Sequence, residues 1–416
     1  MKFFKKTVVV ISIAACFLAS SCGIYVEKQI SSKELTANIP VAETDKFQPD
    51  DLFSEFYDEF AFDFMKTQTN GANSFLFSPF SALACLNMIA CGASGETLDQ
   101  FNGLLGGMDK AKIDGIFASL IGEAAESDTV KVADSLWLRE GSADPKEDFL
   151  RAVKGYYNSE IYSSAFDGNT LRDINNWVNN KTKGMIDKIL DEIDPQALAY
   201  IVNALYFESA WKKEYENDAI RSGIFTAFDG SKQEVEMMIS AESVYFSVNG
   251  ADCFEKPYKD DGYSFVGILP AAGQTASEWF EKTSGKDFCE GYSQRKHAQI
   301  VAKIPEFNDA STCFMNDGLQ TLGLKRAFVP GLAELDGVST DCYLDFVLQK
   351  TRIEVSRKGT KAAAVTIGGA NGTSAPPDNE IKYIYLDRPF AYAVMDRTAK
   401  IPLFIGFADR INIPHQ

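Results

Sequence analysis

The sequence predicts an α+β fold, and three observations carry that prediction. Apolar residues recur at steps of three and four through the first part of the chain, as amphipathic helices require. Continuous or alternating apolar runs bounded by turn residues crowd the last part. Helices and strands do not alternate along the chain, which disfavours a parallel α/β sheet, and no internal repeat is present.

Composition narrows the function. The chain has 416 residues with 41 Lys+Arg against 58 Asp+Glu, a net charge of −17. Such a surface repels a phosphate backbone, so nucleic acid is excluded as a partner, as is docking on an anionic membrane by charge alone. The two histidines are His297 and His415. Any Ser/His/Asp, Cys/His or His-metal site would have to rest on His297. There is no G-x-S-x-G elbow, P-loop, G-x-G-x-x-G or H-E-x-x-H pattern. The chain therefore reads as no enzyme, with neither metal nor cofactor.

Residues 1–21 read as a secretory signal: Lys2, Lys5 and Lys6 precede an apolar run too short to span a bilayer. Leu18, Ala19, Ser20, Ser21 and Cys22 resemble the lipobox of bacterial lipoproteins, which makes Cys22 the expected lipid attachment site. An earlier frame ending at Cys16 is the alternative. The expected location is the bacterial cell envelope with membrane contact through the lipid alone, or a secreted product if an ordinary cleavage occurs nearby. Residues 22–51 are polar and lack sustained periodicity, which suggests a flexible tether, with the globular body over 52–416. The six remaining cysteines, Cys85, Cys91, Cys253, Cys289, Cys313 and Cys342, contain no C-x-x-C pair and fit buried thiols at least as well as disulfides.

Within the body, Phe53, Phe56, Tyr57, Phe60, Phe64 and Met65 mark an amphipathic helix. Ser78 and Pro79 look like a helix cap and first residue leading into 83–90. Ile174, Trp177 and Val178, and the run 186–190, suggest further helical segments. The run 198–207, interrupted only by Asn203, reads as a strand buried on both faces. Segments 263–269, 300–307, 353–355, 381–386, 390–395 and 402–407 read as strands.

The segment 357–377 is unlike the rest: small, nearly uncharged and rich in Gly. Composition alone fits a flexible surface loop. Yet Thr360, Ala362, Ala364, Thr366 and Gly368 fall on one face of an extended chain and all are small, whereas Lys361 falls on the other face. Such a segment could enter a tight slot in a sheet without steric or desolvation penalty.

From residue 52 to 411 the chain resembles a serpin. The resemblance rests on ordered motifs: Phe77, Ser78, Pro79, Phe80 and Ser81; Gly92 to Thr97; Asn175, Trp177, Val178, Thr182 and Gly184; Asn203 to Phe207 with Trp211; Met237 and Met238; Leu269 and Pro270; Leu322, Gly323, Leu324, Ala327 and Phe328; and Asp387, Arg388, Pro389 and Phe390. It implies one domain with three β-sheets, about nine helices and an exposed reactive-centre loop at about 358–380, and a monomer. It also implies a suicide-type inhibitor: a target protease cleaves the loop and is acylated, and the freed segment inserts into the main sheet. A dozen new ladder hydrogen bonds at roughly 0.5–1.5 kcal/mol each would give about 10 kcal/mol, as much as the stability of a whole domain.

The same resemblance makes Gly359, Thr360, Lys361, Ala362, Ala363 and Ala364 the hinge. Ser78, Ser81, Asn203 and Gln349 become a hydrogen-bonded cluster under the opening sheet. Gln349 stands where the family usually has His, so that cluster should lose pH sensitivity. Arg357 occupies a place usually held by Glu, which puts an insertion-tuning charge contact in doubt. Counting from Arg357 puts the reactive bond at Thr373 and Ser374, within a window of 371–375. No Lys, Arg or aromatic residue occurs in 362–380, which disfavours trypsin-like and chymotrypsin-like targets. Elastase-like or subtilisin-like serine proteases are the expected partners, with papain-like cysteine proteases next. The alternative is a non-inhibitory serpin that serves as a binding or carrier module.

Overall fold

Asp50 opens the first helix by accepting a hydrogen bond from the Phe53 amide at 2.9 Å, which satisfies one of the donors a helix start leaves free. The helix α1 (Asp51–Lys66) then buries Phe53, Tyr57, Phe60 and Phe64, the face its spacing predicts. The computed structural model describes residues 25–41, 43–69, 74–127, 129–360 and 381–412. Cys16, Cys22, Lys361, Ala362, Ala363, Ala364, Thr373 and Ser374 lie outside the described residues.

In chain order the elements begin with β1 (Lys33–Glu34), α1, β2 (Ser74–Phe77), α2 (Pro79–Ala90), α3 (Gly95–Gly103), α4 (Lys110–Glu126) and β3 (Val130–Arg139). There follow α5 (Glu147–Ala152), β4 (Glu160–Ser164), α6 (Gly168–Lys181), β5 (Ala199–Phe207), β6 (Ser209–Ala210), β7 (Ile220–Thr226), β8 (Lys232–Val248), β9 (Ala251–Pro257) and β10 (Tyr263–Leu269). The chain continues through α7 (Ala276–Lys282), α8 (Gly285–Ser293), β11 (Lys296–Pro305), β12 (Phe307–Phe314), α9 (Asn316–Thr321), β13 (Phe346–Ser356) and β14 (Gly359–Thr360). Last come β15 (Lys382–Tyr385), β16 (Phe390–Asp396) and β17 (Ile401–Ala408). This is α+β with nine α-helices among the described residues, as expected.

The main sheet runs β1-β4-β3-β5-β13-β14-β6, with β12 on the far edge of β13. The other strands form one continuous ladder, β15-β11-β8-β9-β10-β16-β17-β2, with β7 beside β8. Two of the three expected sheets are thus joined by hydrogen bonds, because β8 is long enough to serve both. Its early residues pair with β7 and β11, and its end pairs with β9.

Helix α2 lies between the two ladders, packed on β3 and β5 on one side and β17 on the other. Every one of its residues is buried, so it has no solvent face and its sequence shows little amphipathicity. Helix α6 covers the opposite face of the main sheet, its Trp177 packing with Trp137, Tyr162 and Tyr200 of the sheet. Residues 186–190, expected to be helical, instead follow α6 as an irregular segment. Side chains take the amides a helix would use: Asn175 accepts from Ile189 and Leu190 at 2.8 and 3.0 Å, and Thr182 from Ile186 at 3.1 Å.

The flexible tether expected over 22–51 is corrected for its described part, which docks on the body. Tyr25 donates to the side-chain oxygens of Asn179 and Asn180, both at 2.8 Å. The backbone amides and hydroxyls of Ser31 and Ser32 all donate to one oxygen of Asp173, at 2.7–2.9 Å. Strand β1 adds to β4 at the sheet edge, and Thr36 is buried. These residues are polar because they bond to polar groups of α6, and polarity alone cannot distinguish that role from solvation.

Candidate functional site

The region that matters is the seam of the main sheet. Strands β5 and β13 run parallel and are hydrogen-bonded only from Tyr200↔Phe346 to Ala204↔Lys350. Above Lys350 they separate, and β14 occupies the gap between β13 and β6. The chain reaches it through a tight turn at Arg357 and Lys358, so Gly359 and Thr360 lie antiparallel to Ser356 and Val355. The first two hinge residues are therefore strand and not exposed loop. Thr360 is fully buried, and its hydroxyl meets that of Tyr258 at 2.8 Å.

Glycine is required at 359. Its φ of +138° disfavours any side chain, and a Cβ there would lie 2.3 Å from the Ser209 carbonyl oxygen. Trp211 shapes the top of the gap. Its ring stacks on Tyr258 with centroids 4.7 Å apart, its indole donates to Ser356 O at 2.9 Å, and its amide donates to Lys358 O at 3.2 Å.

Arg357 is not left without its charge contact. Its amide, Nε and Nη2 all donate to Glu306, at 2.9, 2.8 and 2.9 Å. Burial pushes the Glu306 carboxyl up, but the hydrogen bonds and charge of Arg357 outweigh burial and hold it below its ordinary value. The polarity is the reverse of a Glu at 357 facing a base. Glu306 gave no signal in the sequence, because nothing marks which of many acids will meet a given Arg.

Deeper in the seam the four expected cluster residues come together. Ser78 caps α2 by accepting from the Ser81 amide at 3.2 Å and donates its own hydroxyl to Leu403 O at 2.7 Å. The Ser78 amide donates to Gln349 Oε1 at 3.0 Å, and Gln349 Nε2 donates to Ser78 O and to Asn203 Oδ1, each at 3.0 Å. Asn203 Nδ2 donates to Ser81 O at 2.8 Å and also to Ser81 Oγ. Gln349 and Asn203 are ladder partners on β13 and β5, so their bond crosses the seam.

A fifth member was missed in the sequence: Asp134 on β3, which accepts from Asn203 Nδ2. Burial pushes its carboxyl up to about 7, against the opposing hydrogen bonds from Asn203 and Cys85. Gln349 removes the titratable group expected there, but Asp134 supplies another. His297 is exposed on β11. The six cysteines are free thiols, and burial pushes Cys91, Cys313 and Cys342 each up to about 12.

A split parallel pair with the start of an extra strand in the split agrees with the family suggested by the sequence. A family model of serpins (serine protease inhibitor) matches residues 55–410. The chain belongs to the serpin family. An uncharacterised serpin-like protein of Thermococcus kodakarensis is 28% identical over 362 residues, 83% of each chain. Leukocyte elastase inhibitor A of Rattus norvegicus is 25% identical over 359 residues, 82% of this chain and 94% of the relative. Among solved structures, the thermophilic serpin tengpin in its native state shares 33% identity at a TM-score of 0.85, over 92% of this chain and all of that one. Tengpin in its latent state matches at a TM-score of 0.77. Serpins are protease inhibitors rather than catalysts, which accords with the lack of a catalytic constellation in the sequence.

Proposed function

We propose that this serpin is a suicide-type inhibitor of elastase-like or subtilisin-like serine proteases, with papain-like cysteine proteases as a second class of target. The observation that carries the reading is β14: the hinge already starts a strand in the split between β5 and β13, and the small residues after it can extend that strand downward. The target's nucleophile would bond to the carbonyl carbon of Thr373. The Thr373–Ser374 peptide bond would break, and the new amine on Ser374 would take the proton. Extension of β14 would then unzip 200–204 from 346–350 and carry the acylated protease with it.

Incubation with pancreatic or neutrophil elastase should give an SDS-resistant complex, and mass spectrometry of the released C-terminal fragment should place the bond within 371–375. Simple cleavage by every protease of a broad panel would instead identify a binding or carrier serpin. We infer a lipid on Cys22, supported by the lipobox-like run 18–22, and hence a place on the bacterial envelope. Labelling with a fatty-acid analogue that persists in Cys22→Ser would move the attachment to Cys16, and a wild-type chain that takes no label would remove it.

A further inference from the structure

The cluster under the main sheet holds a titratable group that loop cleavage does not use. Asp134 is 3% exposed and lies opposite Asn203 in the β3–β5 ladder, on the face that meets α2. Asn203 Nδ2 donates to it, and the buried Cys85 thiol of α2 lies beside it. Asn203 also accepts from Gln349 across the seam, so the carboxyl is two hydrogen bonds from the ladder that insertion must break.

The charged groups on the surrounding elements are engaged elsewhere. On α4, Lys110 and Asp114 pair with each other, and Tyr157 donates to Asp114. Glu160 of β4 pairs with Lys181 of α6 on the opposite face of the sheet. On β3 itself Lys131 donates to Ser127 O and Arg139 to Ala197 O. The neighbours that act on the Asp134 carboxyl are Asn203 and the buried thiol of Cys85, and both favour its charged form less than burial opposes it.

We propose that Asp134 is a pH-sensing latch: with its carboxyl neutral the seam between β5 and β13 stays closed, and with it ionised the seam admits an added strand more readily. The physical reason is solvation. Closed, the site buries the carboxyl without a cation, which favours the protonated form. Opening breaks the Gln349–Asn203 bond and lets water reach Asn203 and Asp134. The sign follows from proton linkage. Its pKa is raised to about 7 in the closed sheet, against an ordinary 3.8. Between those values the open sheet binds fewer protons, so opening becomes easier as pH rises towards 7 and levels off above it. Asp309, pushed up to about 6 by burial next to Tyr392, acts in the same direction and must be separated.

The latch rests on the insertion reading, and one experiment distinguishes their failures. A synthetic peptide with the sequence of residues 360–372 is annealed to the full chain between about pH 5 and 8.5, and the rate is followed by native electrophoresis. The wild-type rate should rise by more than tenfold between pH 5 and 7, because a carboxyl whose pKa falls on opening gains up to about tenfold per pH unit below its closed-sheet value, and then level off. Asp134→Asn should abolish the rise and Asp309→Asn should retain it. Should Asp134→Asn not fold, Cys85→Ser offers a stronger donor and should move the midpoint to lower pH. A flat wild-type rate, a rise that survives Asp134→Asn, or an unmoved Cys85→Ser midpoint overturns the latch alone. A peptide that anneals at no pH overturns the insertion reading and the latch with it.

Discussion

The top and the middle of the main-sheet seam are closed by different means. At the top, β14 is held by two ladder pairs to β13 and two to β6, a tryptophan and one partly exposed ion pair. In the middle, five side chains from α2, β3, β5 and β13 share one buried network. At the top the Arg357–Glu306 pair is partly open to solvent and worth little on its own, while Thr360 and its partner Tyr258 are buried. Contacts in the middle are dry, and breaking one strands a buried polar group, at about 1–3 kcal/mol each. Under the proposed mechanism, insertion begins at the top and is resisted in the middle.

The largest test of that contrast is Thr360→Arg. Thr360 is fully buried in β14, and an unpaired charge there would expel the strand. Cleavage should continue while the SDS-resistant complex falls at least about tenfold, measured as complex per cleaved inhibitor; unchanged complex would show that β14 is dispensable. Next is Asn203→Ala, which strands Gln349, Ser81 and Asp134 together. We expect roughly 2–3 kcal/mol lost from the native state, seen as a lower urea midpoint and faster loss of inhibitory activity on standing. A midpoint shift no larger than that of a surface variant would refute the buried-network account. The smallest effect belongs to the top: Arg357→Glu, which places two acids together, should cost about 1 kcal/mol or less. The double variant Arg357→Glu, Glu306→Arg should recover it, and absence of recovery would mean that Glu306 is not the partner.

The same division explains what could be read from the chain. The burial of β5 on both faces and the start of α2 at Ser78 are local patterns, and each is found where its run of apolar residues or its cap puts it. The four cluster residues were legible only through the family resemblance, since Ser78 and Gln349 are 271 positions apart. Glu306 and Asp134 were not legible, because an acid looks alike in sequence whether it faces water, an arginine or an asparagine. Ser31 and Ser32 fail for the same reason: their partner Asp173 lies more than 140 positions away.

The docked segment changes the mechanics of any attachment at Cys22. From an attachment at Cys22 only Cys22, Gly23 and Ile24 lie before Tyr25, whose hydroxyl is fixed to the C-terminal part of α6. At about 3.5 Å per residue that leaves a leash of roughly 10 Å. A lipid there would hold the body against the bilayer in a set orientation, with the end of α6 lowermost. A protease of the kind proposed would then meet this serpin as a fixture of the membrane surface, and its angle of approach would be set before the two molecules touched.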